Sequence, residues 1–367
     1  MDSRIQNLAN TIVNYSCNIQ SGATVTIDVI GDSPRPLVKA LIKEIYKVGA
    51  IPHVIEKDVS IIREQLIGLT EETAKNWAKH ALNRLKDTDV YIMIKSLNNQ
   101  SELSDVPQDK MILYGEHYTK IVNEYILNHT RWISLRYPNN AMAQLANMSL
   151  ESFENYYFTV CNQDYSKLSN AMDYLVKLMD ETDNVRICGN GTDVSFSIKD
   201  IPVHKCAGLI NLPDGEVYTA PVRDSINGVV QFNIPSIYQG TYYEQVKLEF
   251  KDGKIIKATS NNIEQMNSIL NTDEGSRYIG EFALGVNPYI VKPMKDILFD
   301  EKIGGSFHLT PGFAYENAFN GNRSAIHWDL VCIQTEEYGG GEIYFDNVLI
   351  RKNGLFIPSE LHALNMK

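Results

Sequence analysis

At 367 residues, with 44% hydrophobic and 22% charged residues, the chain has the composition of a soluble globular protein and exceeds the usual span of one core, so two domains are expected. Its formal net charge of −11 comes without a basic stripe or arginine-rich segment, which excludes nucleic acid as the main partner. No apolar run approaches the ~18 residues of a membrane-spanning helix, the amino-terminal segment has no apolar signal core, and Cys17, Cys161, Cys188, Cys206 and Cys332 form no C-x-x-C pair: a cytoplasmic protein with reduced thiols and no membrane partner is expected.

In chain order, Leu8, Ile12, Val13 and Tyr15 recur near helical spacing and predict a helix over 5–15, stopped by Ser21 and Gly22. A strand over 23–30 follows, then a helix opened by Pro34, Arg35 and Pro36 that carries Leu37, Leu41, Ile42, Ile45 and Tyr46 as far as Gly49, then a strand over 51–55. Strand, helix, strand is the unit of a parallel sheet. A helix over 71–86 and strands over 89–94 and 131–135 continue it, so an α/β amino-terminal domain with a mainly parallel sheet is expected over 1–183.

Such sheets often bind nucleotides beyond the carboxyl ends of their strands. Here the first strand runs into Gly31-Asp32-Ser33-Pro34 in place of G-x-G-x-x-G, and Gly189-Asn190-Gly191 precedes an alternating, strand-like run. These glycines read as turns, and no nucleotide site is expected.

The segments 138–147 and 164–180 read as helices linking the two halves. Beyond residue 184 the pattern changes to short strands, over 185–188, 193–198, 229–234, 243–250 and 255–259, with Lys251-Asp252-Gly253-Lys254 as a hairpin turn and a helix over 262–270. A mixed, largely antiparallel β domain with a few helices is expected over 184–367.

Candidate ligands collect in this second half. His327-Trp328-Asp329 lies in an apolar, β-branched run that reads as a buried strand over 325–333. Residues i and i+2 of a strand share a face, so an imidazole and a carboxylate project together from an apolar wall and need a partner: each other, the backbone, or a metal ion. Glu281 and His308 stand nearby in sequence in glycine-flanked segments. Upstream, Pro213-Asp214-Gly215 is turn chemistry that presents Glu216 at the start of a short strand. Taken alone, Glu216 also reads as an exposed turn residue.

Together these motifs resemble the metalloaminopeptidases of the aminopeptidase T and aminopeptidase S group, peptidase family M29. The resemblance runs from the opening helix and strand through Arg136-Tyr137-Pro138, Gly191-Thr192-Asp193 and Pro213-Asp214-Gly215-Glu216 to the carboxyl-terminal β segment. It implies two metal ions on Glu216, Glu281, His308, His327 and Asp329, and a catalytic tyrosine at Tyr315, in Gly312-Phe313-Ala314-Tyr315. The alternative for Tyr315 is a packed core aromatic. His308 and His327 are nineteen positions apart, closer than the family pattern, and Thr310-Pro311 replaces smaller or apolar residues, which bears on substrate preference.

Three carboxylates and two imidazoles exceed the needs of one tetrahedral zinc and suit two ions sharing a carboxylate. Two such ions activate a water and polarise a carbonyl. Without thiolates in the set, zinc, cobalt or manganese all fit. The reading is a metal-dependent aminopeptidase acting on peptides with a free N-terminus. Tyr315 would stabilise the oxyanion, and Glu216 or Glu281 would take the proton of the water. Two other readings stand beside it: a dinuclear amidohydrolase of non-peptide amides, and a non-catalytic binding protein of the same fold. The resemblance also implies a homodimer, and Tyr238, Tyr242, Tyr243, Tyr338 and Phe356 are candidate interface aromatics.

Overall fold

The structure is a computed structural model that describes residues 2–31 and 33–366. Asp32 of the first strand-to-helix turn, and the end residues Met1 and Lys367 of the two expected domains, lie outside the described residues. The chain divides into two compact units, Met1–Gln163 with Gly208–Leu212, and Asp164–Ala207 with Pro213–Lys367.

The first unit is α/β, as expected. Helix α1 (Ser3–Asn10) runs on through a wider turn over Thr11–Ser16 and buries Ile5, Leu8, Ile12 and Val13. Strands β1 (Thr24–Ile30), β2 (Ile51–Lys57), β3 (Val90–Lys95) and β4 (Arg131–Arg136) pair in the order β2, β1, β3, β4, with Asn211–Leu212 beside β4, and every pairing is parallel. Val25, Ile27 and Val29 are wholly buried in the central β1, as suits a strand covered on both faces. Helix α2 (Arg35–Lys47) starts after Pro34 and buries Leu37, Val38, Ala40, Leu41 and Ile45 along one stripe. Helix α3 (Glu71–Leu85) is capped by the Thr70 hydroxyl.

A helix at Leu150–Cys161 was absent from the sequence reading. Its run Tyr156-Tyr157-Phe158-Thr159-Val160 is aromatic and β-branched, a composition that favours strands, and burial of Phe153, Tyr157, Phe158 and Val160 overrides it.

The second unit begins with helix α4 (Tyr165–Asp180), whose buried stripe is Tyr165, Leu168, Met172, Leu175 and Met179. The expected boundary at 183/184 would give this helix to the first domain. The structure instead packs it against the second unit's own carboxyl-terminal segment Ser359–Leu364 and two of its strands, because its apolar face is completed there.

Eight strands of this unit form an antiparallel sheet that includes Asn184–Gly189, Thr192–Ser197, Asn227–Gln231, Lys247–Lys251 and Lys254–Thr259. The last two are joined by the expected hairpin, with Asp252 at φ 49° and Gly253 at φ 79°. The strand expected over 243–250 is interrupted, Thr241–Tyr243 ending one pairing before Lys247–Lys251 begins another.

A second antiparallel sheet has five strands: β5 (His204–Cys206), β6 (Glu216–Thr219), β7 (Ile279–Gly285), β8 (Ser306–Pro311) and β9 (Leu330–Ile333). Their spatial order is β9, β8, β7, β6, β5. β6, β7, β8 and β9 are buried along their whole lengths. Among the described residues no helix is long and apolar enough to cross a membrane, and all five cysteines are free.

Candidate metal centre

The register of the five-stranded sheet brings the candidate ligands to one face. Ala283 of β7 lies opposite both Tyr218 of β6 and His308 of β8, Gly285 lies opposite Glu216, and Glu281 lies opposite Thr310. Directly opposed residues of antiparallel strands share a face, as do i and i+2. Glu216, Glu281, His308 and Thr310 therefore point the same way, around the small Ala283 and Gly285.

Two glycines make this register possible. Gly280 sits at a bulge between Ile279 and Glu281, where an added Cβ would lie 2.2 Å from the Phe313 carbonyl oxygen. The bulge re-aims the side chain that follows it. Gly215, at φ +138°, turns the chain into β6 where a Cβ would come within 2.8 Å of Asn287.

The strand expected over 325–333 is shorter than its apolar pattern: β9 starts at Leu330, and His327 makes only an isolated bridge to Gly312. The i, i+2 relationship survives because Trp328 is anchored between its neighbours. Its ring is 1% exposed, packs at 4.9 Å and 4.7 Å from the rings of Tyr238 and Tyr243, and donates from Nε1 to the Ser236 hydroxyl at 2.9 Å. With Trp328 held on one side, His327 and Asp329 meet on the other, Nε2 to Oδ1 at 3.4 Å.

All five predicted ligands come together. His308 Nε2 lies 3.4 Å from Glu281 Oε1 and 3.7 Å from Glu216 Oε2. His327 Nε2 lies 3.3 Å from Glu281 Oε2. The His327 Nδ1 is 3.1 Å from the Phe313 carbonyl, so Nδ1 carries the proton and Nε2 faces the cluster. Thr310 Oγ1 donates to Asp329 Oδ1 at 2.6 Å. Glu216, Glu281 and His308 are buried, which rules out the reading of Glu216 as an exposed turn residue.

Among the described residues, three groups of ligand atoms lie within 4.8 Å of one another: Glu216, Glu281 and His308; Glu281, His327 and Asp329; and Cys206, Asp214 and Glu216. The first two share Glu281. Glu216 Oε2 and His308 Nδ1 are buried polar atoms without a hydrogen-bond partner, and an unmet carboxylate oxygen beside an imidazole suits a bound cation. By donor type, spacing and this unmet oxygen, the residues fit divalent metal ions.

Sequence reasoning missed the cation already built into the wall. Lys302, 1% exposed, pairs with Glu216 Oε1, with Glu301 Oε1 at 2.8 Å and with Asp214 Oδ1 at 3.6 Å. In the sequence Asp300-Glu301-Lys302 reads as a solvated charge run. The signal against that reading is its setting between Ile297-Leu298-Phe299 and Ile303.

The electrostatics are those of an enclosure with too many carboxylates. Burial opposes charge on His308 and His327, but Glu281 with Glu216, and Asp329 with Glu281, outweigh it and raise both imidazoles to about 9. Burial also opposes the Glu281 charge, and hydrogen bonds from the two histidines win, holding it at about 2. Burial raises Glu216, and raises Glu301 to about 8. Protons on the histidines thus partly neutralise the carboxylates.

Tyr315 is 41% exposed, against the packed-core alternative. Its ring centroid lies 5.0 Å from that of His327. Lost solvation, then the charges of Glu281 and Asp329, raise its phenol well above the ordinary tyrosine value, so it remains a hydrogen-bond donor.

Comparison with known proteins places the chain in a family. The family model described as thermophilic metalloprotease (M29) matches residues 1–356. The chain is 24% identical over 375 residues to aminopeptidase AmpS of Bacillus subtilis (strain 168), covering 90% of each chain. It is 24% identical over 398 residues to aminopeptidase 2 of Geobacillus stearothermophilus, covering 95% of this chain and 94% of that one. Wild-type AmpT from Thermus thermophilus has the same fold, with a TM-score of 0.82 at 19% identity over 97% of this chain and 99% of that chain. With a match that spans nearly the whole sequence, the chain belongs to the thermophilic metalloprotease family, M29, and is a metal-dependent peptide hydrolase.

Proposed function

We propose that this enzyme is an aminopeptidase that hydrolyses the N-terminal peptide bond of peptides, with two divalent ions held by Glu216, Glu281 and His308 on one side and by Glu281, His327 and Asp329 on the other. The observation that carries the reading is the pair of ligand triads sharing the buried Glu281. Charge supports it: Lys302 pairs with Asp214, Glu216 and Glu301, while Glu281 and Asp329 stand beside two imidazoles, so the enclosure holds more carboxylates than its one lysine offsets. When bound, the ions supply Lewis acidity that lowers the pKa of water toward neutrality and polarises the scissile carbonyl.

The chain's own groups have distinct tasks. Glu281, ionised down to about 2 and addressed through both oxygens by the two histidines, is suited to bridging. Glu216, with Oε1 taken by Lys302 and an unmet Oε2, is suited to offer that one oxygen to the centre. Tyr315 donates its phenolic hydrogen to the oxyanion as the carbonyl becomes tetrahedral. A free α-amine is attracted by the carboxylate-rich enclosure, which selects chain ends.

Zinc, cobalt and manganese all match the oxygen and nitrogen donors. A cytoplasmic setting belongs to the proposal, supported by five free thiols, as does a homodimer. The aromatic support for the dimer is narrower than the sequence implied: Tyr243 and Phe356 are core residues at 0% and 3% exposure, while Tyr242 is 40% exposed.

The test is metal titration of the stripped protein against aminoacyl amides, cyclic amides and short peptides. Two ions per chain with cleavage of free-amine substrates is the expected result. Cleavage of cyclic amides alone would make the protein an amidohydrolase of non-peptide amides. Inactivity with all three metals would make it a binding protein of this fold.

A further inference from the structure

Lys302 sits where a third cation would. The group Cys206, Asp214 and Glu216 has metal-ligand spacing, and the Lys302 ammonium contacts two of its three members and Glu301 besides. Its placement is fixed from the backbone. The Lys302 carbonyl accepts from the Asn287 N–H at 3.0 Å, and the Asn287 side-chain amide donates to the Asp214 carbonyl at 2.6 Å. One asparagine thus ties the lysine to the turn that carries Asp214 and Glu216.

The consequence for Glu216 is geometric. Its Oε1 is taken by the ammonium, while Oε2 is left without a hydrogen-bond partner, 3.7 Å from His308 Nε2. A carboxylate pinned through one oxygen offers only the other to the centre.

We infer that Lys302 is a built-in cation that fills the Cys206, Asp214 and Glu216 group, keeps metal ions out of it, and holds Glu216 as a one-oxygen ligand of the dinuclear centre. This rests on the proposed reading of Glu216 as a metal ligand. Lys302 acts through Glu216 and is a positioning residue. A lysine does this better than a metal ion would, because its charge cannot dissociate from the chain. Without it, a soft divalent ion would bind the three ligands, the Cys206 thiol releasing its proton to solvent as the thiolate forms.

Cadmium titration of the stripped protein, followed by bound-metal analysis and the ultraviolet thiolate-to-cadmium band, tests this directly. Wild type is expected to saturate at two ions with no band. A third ion with a band that disappears in Cys206→Ser overturns the inference and leaves the dinuclear reading standing, whereas failure to bind two ions strikes the dinuclear reading itself. Lys302→Ala is expected to take up a third ion with the band, to lose both in the double variant with Cys206→Ser, and to bind ions at the Glu216 and His308 site at least about tenfold more weakly. Two ions bound with wild-type affinity and no band in a folded Lys302→Ala would overturn it. If that variant does not fold, the wild-type titration decides.

Discussion

The hydroxyl of Thr310 in β8 donates to Asp329 Oδ1 at 2.6 Å, just before β9 begins at Leu330. The contact orients the carboxylate that closes the Glu281 and His327 triad. Thr310→Val keeps the shape and removes the donor. Metal affinity at that triad is expected to fall about 10- to 100-fold with the fold intact, as is typical when a ligand loses its outer partner. Unchanged affinity by competitive chelator titration would show that the contact positions nothing.

Glu281 and Asp329 differ in how many ions they serve. Glu281 belongs to both ligand triads and Asp329 to one. Glu281→Ala is therefore expected to purify without either ion and without activity, and Asp329→Ala with one ion per chain and no activity. Elemental analysis alongside circular dichroism checks both. Equal metal content in the two variants would remove Glu281 from the bridging role.

The five candidate ligands were gathered by the resemblance to the metalloaminopeptidases; from the residues alone Glu216 also fitted an exposed turn, and the i, i+2 pair at His327 and Asp329 also fitted pairing with each other. The last pair shows how a partly wrong premise can reach the right place. The segment is too irregular for a strand, yet Trp328 between its two neighbours enforces the same two-sided division. Lys302 and Glu301 were not legible, since burial of a charge run depends on carboxylates distant in sequence. The unit membership of α4 was hidden for a related reason: periodicity reveals that Leu168, Met172 and Leu175 are buried, not which surface buries them.

Tyr315→Phe separates chemistry from metal binding. The ring lies against His327 but Tyr315 belongs to neither triad, so the variant is expected to retain both ions and near-normal KM while kcat falls about 10²- to 10³-fold, the usual cost of one oxyanion donor. Loss of metal from the variant would reassign the tyrosine to a structural role.

The pH dependence follows from the histidines. In the metal-free enclosure His308 and His327 are raised to about 9 from an unfolded value near 6.5. A raised pKa means the native state binds the proton more tightly. Its stabilising contribution is full below about 6.5 and is lost as pH rises through about 9. Glu301, raised to about 8 by burial, acts in the same direction. The stripped protein is therefore expected to lose stability between about pH 6.5 and 9. Metal binding requires neutral imidazoles and releases these protons, so the loaded protein gains relative to the stripped one over the same window. Melting temperatures of both forms, measured at intervals across that range, should diverge as pH increases. A constant gap would mean that the two histidines are already neutral in the metal-free protein, and that the carboxylates of the centre are balanced by something other than their protons.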